Sequence, residues 1–144
     1  MQEDKLKDTK ELMELVKKYP KKFGDIMLGN DVTEYTNLQD YLHSLLEKHQ
    51  VSLTDVVRIS LLSKSYVYQI FSGDRVPSRD SIIRIGFAMS CDIDELQHML
   101  VLAQTGILYP KVRRDAAILC CMSQHFDLID ANDFLESIQE RALI

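Results

Sequence analysis

The sequence predicts an all-α fold. Three observations predict it. Apolar residues recur at helical spacing along nearly the whole chain. No segment shows the strict alternation of a half-buried strand. Only 5 Gly and 3 Pro interrupt 144 residues, so long helices are permitted. With 46% hydrophobic residues, the chain has enough apolar surface for a real core and too much for disorder. The length suits one domain, or one core with helical extensions.

The first expected helix runs from about Asp4 to Lys18, with Leu6, Leu12, Met13 and Val16 as its apolar stripe. Tyr19-Pro20 ends it, and Lys17, Lys18, Lys21 and Lys22 surround that end, where cations suit the helix dipole. Phe23, Ile26, Met27 and Leu28 form a short apolar patch between Gly24 and Gly29. Residues 1–35 are thus expected to form an N-terminal helical extension. Thr36-Asn37-Leu38-Gln39 is an expected capping box. It starts a helix to His49 that carries Leu38, Tyr41, Leu42, Leu45 and Leu46 on one side.

The run from Val51 to Leu96 has the spacing of a helix-turn-helix. Ser52 and Ser63, 11 positions apart, are good N-caps, because a serine oxygen accepts from the free N–H groups of a first turn. Asp55 suits the positive end of the first of these helices. Gly73 can take the left-handed conformation that closes a helix. Pro77 disfavours helical geometry at Val76, so the chain must turn before Ser78 caps a helix from Arg79 to Met89. In a helix-turn-helix the second helix enters the major groove and its first turn reads base edges. Here that helix runs from about Ser63 to Ser72, and the candidate readers are Lys64, Ser65 and Gln69.

Asp92-Ile93-Asp94-Glu95 is a further capping signal, for a helix to about Gln104. Thr105-Gly106-Ile107-Leu108-Tyr109-Pro110 is a break. Beyond it a helical hairpin is expected. Lys111 to His125 carries Val112, Ala116, Ile118, Leu119 and Met122, and Asp130 caps a last helix with Phe134, Leu135 and Ile138. The chain therefore divides into 1–35, a core at 36–104, and a hairpin at 105–144. That hairpin either packs on the core or forms a dimer surface.

The stretch from about Leu38 to Leu100 resembles the Cro/repressor type of helix-turn-helix domain, the XRE family. Ser63 to Ser78 carries the resemblance most clearly, together with Ser90-Cys91-Asp92-Ile93-Asp94-Glu95-Leu96. The resemblance implies a lambda-repressor-like core in a bacterial transcription regulator that binds double-stranded DNA, as a homodimer, in the cytoplasm. It places base contacts on Lys64, Ser65, Tyr68 and Gln69, and phosphate contacts on Ser52, Arg75 and Arg79. Arg84 lies in the same helix as Arg79, where family members touch phosphate. Three positions depart from the family pattern. Leu61 stands where the family has a turn glycine, Leu53 where it often has glutamine, and Phe71 where it often has glutamate. A positive φ at Leu61 would cost about 1–2 kcal/mol; otherwise the turn is built differently. A wider resemblance, through Tyr66 to Asp80, Leu108-Tyr109-Pro110 and Arg113-Arg114-Asp115, is to small bacterial helix-turn-helix proteins of unassigned activity. It implies that the last third belongs to the same folding unit.

Charge argues partly against this reading. The net charge is −5, yet residues 51–90 carry 5 basic and 3 acidic side chains and are the only basic third. Residues 1–50 carry 8 and 10, and residues 91–144 carry 4 and 9. Phosphate attraction dominates non-specific DNA affinity, so binding to bulk DNA should be weak. The acidic balance with Leu61, Leu53 and Phe71 supports an alternative: a protein-interaction module that keeps the scaffold and binds a protein partner without reading DNA.

Enzymatic function is not expected. The chain has no phosphate-gripping glycine loop, metalloprotease HExxH or serine-nucleophile elbow. His43, His49, His98 and His125 are scattered. Cys121 and His125 share a helical spacing of four, but no second pair completes four ligands, so no metal or other cofactor is expected. Asp127, Asp130 and Asp133 read as a capped, solvated helix start. Cys120 and Cys121 read as small buried apolar groups. Three cysteines, two of them adjacent, argue for a reducing compartment. No apolar run approaches the ~18 residues of a membrane span, and the charged start, Met1-Gln2-Glu3-Asp4-Lys5, is not expected to be a secretory leader.

Overall fold

Six of the seven helices described begin at a side chain that accepts a backbone hydrogen bond from its own first turn. The computed structural model describes residues 37–144. All regular structure among them is helical. The order is α1 (Leu38–His49), α2 (Leu53–Ser60), α3 (Lys64–Ser72), α4 (Arg79–Ala88), α5 (Ile93–Leu102), α6 (Arg113–Ser123) and α7 (Leu128–Ser137). The expected helix at Asp4–Lys18, the patch at Phe23–Leu28 and the cap at Thr36 lie outside the described residues.

Ser52, Ser63, Ser78 and Asp92 cap the helices expected of them. Two caps differ. Asn37 starts α1 by accepting from the Asp40 N–H at 2.8 Å. Asp127, rather than Asp130, starts α7. Here Asp130 supplies the N–H that Asp127 accepts, at 2.8 Å. An aspartate at the cap and another at the third helical position are both favourable, and the sequence pattern alone does not rank them. At the other ends, Gly73 closes α3 at φ 86°. Leu61 closes α2 at φ 60°, so the left-handed turn is built with leucine in glycine's place. The strain is tolerable because the Leu61 side chain meets solvent, being 63% exposed.

Helix α4 is the centre. Ile82, Ile83 and Ile85 are fully buried, and α4 packs on α2, α5 and α7. Helix α3 packs on α1 and α2, and α1 also packs on α5. Gly86 lets α4 approach α5 closely, since a Cβ there would lie 2.8 Å from Leu96 Cδ1. Each large aliphatic side chain so buried contributes about 1.5–3 kcal/mol.

Residues 37–144 form one compact unit, so the boundary expected near residue 104 does not separate two bodies. The hairpin of α6 and α7 packs on the core through α5 and α4. Ile118 and Leu135 are fully buried and Met122 nearly so, while Leu119, Phe134 and Ile138 are half-buried. Of the two alternatives for the hairpin, Ile118, Met122 and Leu135 serve packing on the core, since they are buried within the protein's own fold.

Two ion pairs lock the hairpin down. The Arg79 guanidinium of α4 donates to both Asp115 oxygens on α6, at 3.0 and 2.8 Å. The Arg114 guanidinium of α6 donates to both Asp80 oxygens on α4, at 3.0 and 3.0 Å. Arg114 also donates to the Arg141 and Ala142 carbonyls, and the Asn132 amide pairs with both backbone groups of Leu143. The chain end is thereby strapped against the hairpin. The Gln97 amide pairs in the same way with Leu108, at 2.8 Å each way, and pins the loop between α5 and α6.

Candidate nucleic-acid interface

Helix α3 has two unlike faces because its apolar residues recur three and four apart. Val67, Ile70 and Phe71 are buried against the core, whereas Lys64, Ser65, Tyr68 and Ser72 are exposed. Gln69 lies at the edge, half-buried. Lys64, Ser65, Tyr68 and Gln69, singled out from the sequence, therefore share the solvent side of one helix.

Side chains around this face brace one another. Lys64 Nζ lies 5.6 Å from the Tyr68 ring centroid, a cation–π contact at its outer limit. Arg75 lies 5.5 Å over the Tyr66 ring, and its Nε donates to Gln69 Oε1 at 3.1 Å. Tyr66 holds the loop in place, because its hydroxyl donates to Ser81 at 3.1 Å and accepts from the Ser78 N–H at 3.2 Å. Thr54, Val57 and Arg58 of α2 line a groove of about 210 Å³ with Lys64 and Tyr68 of α3. Arg58 and Thr54 escaped sequence reasoning. Their spacing of four on an exposed face of α2 is the signal that could have found them.

No protein-family model matches this sequence. Comparison with curated proteins and with solved structures likewise finds no significant match. The chemistry of the face must therefore be read from its own side chains.

Not every cation expected near the face is available to it. Arg79 was expected to hold phosphate, but its guanidinium is occupied by Asp115 and by the Gly106 and Ile107 carbonyls, at 3.1 and 2.7 Å. Arg84 donates to the Ser60 carbonyl at 3.0 Å and finishes α2. Both arginines donate to internal groups, because buried carboxylates and helix-end carbonyls demand donors. Arg58, Lys64 and Arg75 remain exposed around the face.

Ser52 is exposed at the start of α2 and accepts from the Asp55 N–H at 3.1 Å. Asp55 puts a carboxylate at the same helix end, held below its ordinary range by a hydrogen bond from Arg58 and by Ser52. A phosphate approaching Ser52 would meet that charge. Phe71 is only 2% exposed, and its ring meets His43 edge-on at 5.6 Å. Phe71 is therefore core and no part of a docking patch.

Other expectations of site chemistry also move. Helix α6 ends at Ser123, and His125 sits beyond it at φ 59°, so Cys121 and His125 do not share a helix face. Cys121 is buried, and burial pushes its thiol up to about 11. Cys120 is exposed, against the expectation that both are buried. Among the described residues no helix is long and apolar enough to cross a membrane.

Proposed function

We propose that this protein is a sequence-specific DNA-binding transcription regulator of the Cro/repressor type, acting as a cytoplasmic homodimer, with α3 as the helix that enters the major groove. One observation carries the reading. The solvent side of α3 holds Lys64, Ser65, Tyr68 and Gln69, flanked by the exposed cations Arg58, paired with Asp55, and Arg75, bonded to Gln69, while the opposite side is buried. Lysine and glutamine are suited to acceptor-rich base edges in the major groove, and an exposed tyrosine suits a thymine methyl or a phosphate. Arg75 is the phosphate-facing candidate, Ser52 having the Asp55 carboxylate beside it, and Arg79 positions the fold instead.

The net charge of −5 predicts weak affinity for bulk DNA, so the experiment is selection of bound fragments from random duplexes at near-physiological salt. Recovery of a shared motif, lost in the Lys64→Ala/Ser65→Ala/Gln69→Ala variant, is the expected result. Recovery of no motif would overturn the reading.

One observation favours a second reading. Leu61, Tyr68 and Val76 leave 63%, 41% and 83% of their surfaces exposed, on α3 and the two turns that flank it. Exposed apolar groups of this size suit a protein partner. The protein-interaction module predicts no selected motif, and a partner whose capture is lost in Tyr68→Ala.

A further inference from the structure

His49 closes α1, Cys91 lies in the loop between α4 and α5, and Glu95 belongs to the first turn of α5. A ring nitrogen, a sulfur and a carboxylate oxygen from these three all lie within 4.8 Å of one another. His49 Nε2 is 2.9 Å from Glu95 Oε1 and 3.1 Å from Oε2. Cys91 and Glu95 are 7% and 6% exposed, and His49 is half-buried. Around a tetrahedral zinc ion with bonds of about 2.0–2.3 Å, neighbouring donors stand roughly 3.3–3.7 Å apart. The nitrogen and the carboxylate oxygen stand 2.9 Å apart and the sulfur lies within 4.8 Å of both, so side-chain shifts of about an ångström close the three on one ion.

We propose that His49, Cys91 and Glu95 form a binding site for a zinc-class divalent ion, with a fourth coordination position open to water.

Four features support the site. The donor set mixes sulfur, nitrogen and oxygen, which suits zinc or cobalt and not magnesium or calcium, whose ligands are oxygens. The Cys91 thiol is more than nine-tenths buried, and no hydrogen bond among the described residues occupies it. The pocket already attracts positive charge. Lys48 Nζ lies 2.7 Å from Glu95 Oε2, and this lysine side chain is 64% exposed, so it can withdraw to solvent as an ion enters. The carboxylate is also held from behind, because the Asp92 N–H donates to Glu95 Oε1 at 2.9 Å. Backing of this kind orients a ligand and sharpens affinity.

Proton balance is simple. A thiol ligates as the thiolate, so ion binding releases the Cys91 proton to solvent and affinity rises with pH. In the structure Nε2 donates to the Glu95 carboxylate, so ligation through Nε2 requires the ring to give up that hydrogen bond and hold its proton on Nδ1. The bound ion would tie the last turn of α1 to the first turn of α5, and α1 is the helix that backs α3.

The test uses the full chain, stripped with chelator and titrated with Co²⁺, then with Zn²⁺ in competition. One ion per chain is expected, with a thiolate-to-cobalt charge-transfer band in the near ultraviolet. The chain has 3 cysteines, so Cys91→Ser must abolish that band while Cys121→Ser retains it. His49→Ala should weaken binding at least about tenfold with helical circular dichroism unchanged. His49 is at the surface end of α1, so this variant carries the test even if Cys91→Ser does not fold. Non-saturable binding, a band that survives Cys91→Ser, or equal affinity in His49→Ala would overturn the site. None of these outcomes depends on whether the protein binds DNA.

Discussion

Arg79 and Asp115 meet through two parallel hydrogen bonds, at 3.0 and 2.8 Å, across 36 residues of sequence. The neighbouring residues make the reciprocal pair, Arg114 with Asp80. Two Arg-Asp dipeptides thus exchange partners, and the start of α4 is clasped to the start of α6. Paired guanidinium and carboxylate planes of this kind are the strong class of side-chain hydrogen bond.

This clasp should be costly to break from one side. Asp115→Ala removes the charge partner of Arg79, whose side chain is 27% exposed and keeps the Gly106 and Ile107 carbonyls. The cost should therefore fall below the about 3–5 kcal/mol of a fully buried pair. A loss of unfolding free energy is expected, read from a lower midpoint in urea titration at unchanged slope. Replacing both partners with apolar residues should recover much of the loss. If Asp115→Ala is as stable as the parent, the clasp contributes nothing.

The clasp also gives stability an acid limit. Burial alone would raise the Asp80 carboxyl, but the hydrogen bond and charge of Arg114, with Arg141 and Arg79, outweigh it and hold it below the ordinary range. A group depressed in the folded state stabilises above its unfolded value, about 3.9, and loses that contribution as pH falls through the folded value. Stability should therefore be flat near neutrality on this account and drop below about pH 4. Asp80→Asn should flatten that drop, as read from urea midpoints across the acid range.

Relief of strain at the α2–α3 turn is a separate expectation. Leu61 holds φ 60° with its side chain in solvent. Leu61→Gly removes about 1–2 kcal/mol of left-handed strain and adds about 0.5–1 kcal/mol of chain entropy to the unfolded state. The net result should be a gain of up to about 1.5 kcal/mol and a higher thermal midpoint. A lower midpoint would show that the leucine side chain packs usefully where it lies.

Arg75 and Arg79 should respond differently to neutralisation if α3 binds DNA. Arg75→Ala should weaken binding evenly across sequences and reduce the salt slope by about one unit. Arg79→Ala should lower the thermal midpoint and leave the salt slope of the folded fraction unchanged. Equal salt slopes in the parent and Arg75→Ala would remove Arg75 from the phosphate contacts.

Gln69→Ala tests the reading head itself. One base position in the selected motif should lose about 1–3 kcal/mol of discrimination, with the other positions preserved. A motif unaltered by Gln69→Ala would place base reading elsewhere.

Much of the local structure was legible in the residues. Ser52, Ser63, Ser78 and Asp92 announce their helices because a cap bonds an N–H only three positions away, and no distant partner is needed. The buried and exposed sides of α3 follow from helical periodicity in the same way. The exchange of Asp130 for Asp127 shows the limit, since two aspartates three apart offer equivalent local chemistry.

What the sequence by itself determined is the all-helical character of the described residues, most of their helix starts, and which face of α3 is apolar. Tertiary structure alone decided the partners of charged side chains. Arg79 looked like a surface cation beside a recognition helix, and only the packing of α6 near α4 supplied Asp115 and withdrew it from solvent. His49 looked isolated until α1 met α5 and placed it beside Glu95, 46 positions away, with Cys91 in reach. The reason is physical. Caps and periodicities are set by bonds within one turn of chain, whereas an ion pair or ligand cluster exists only after the apolar faces have chosen which helices touch.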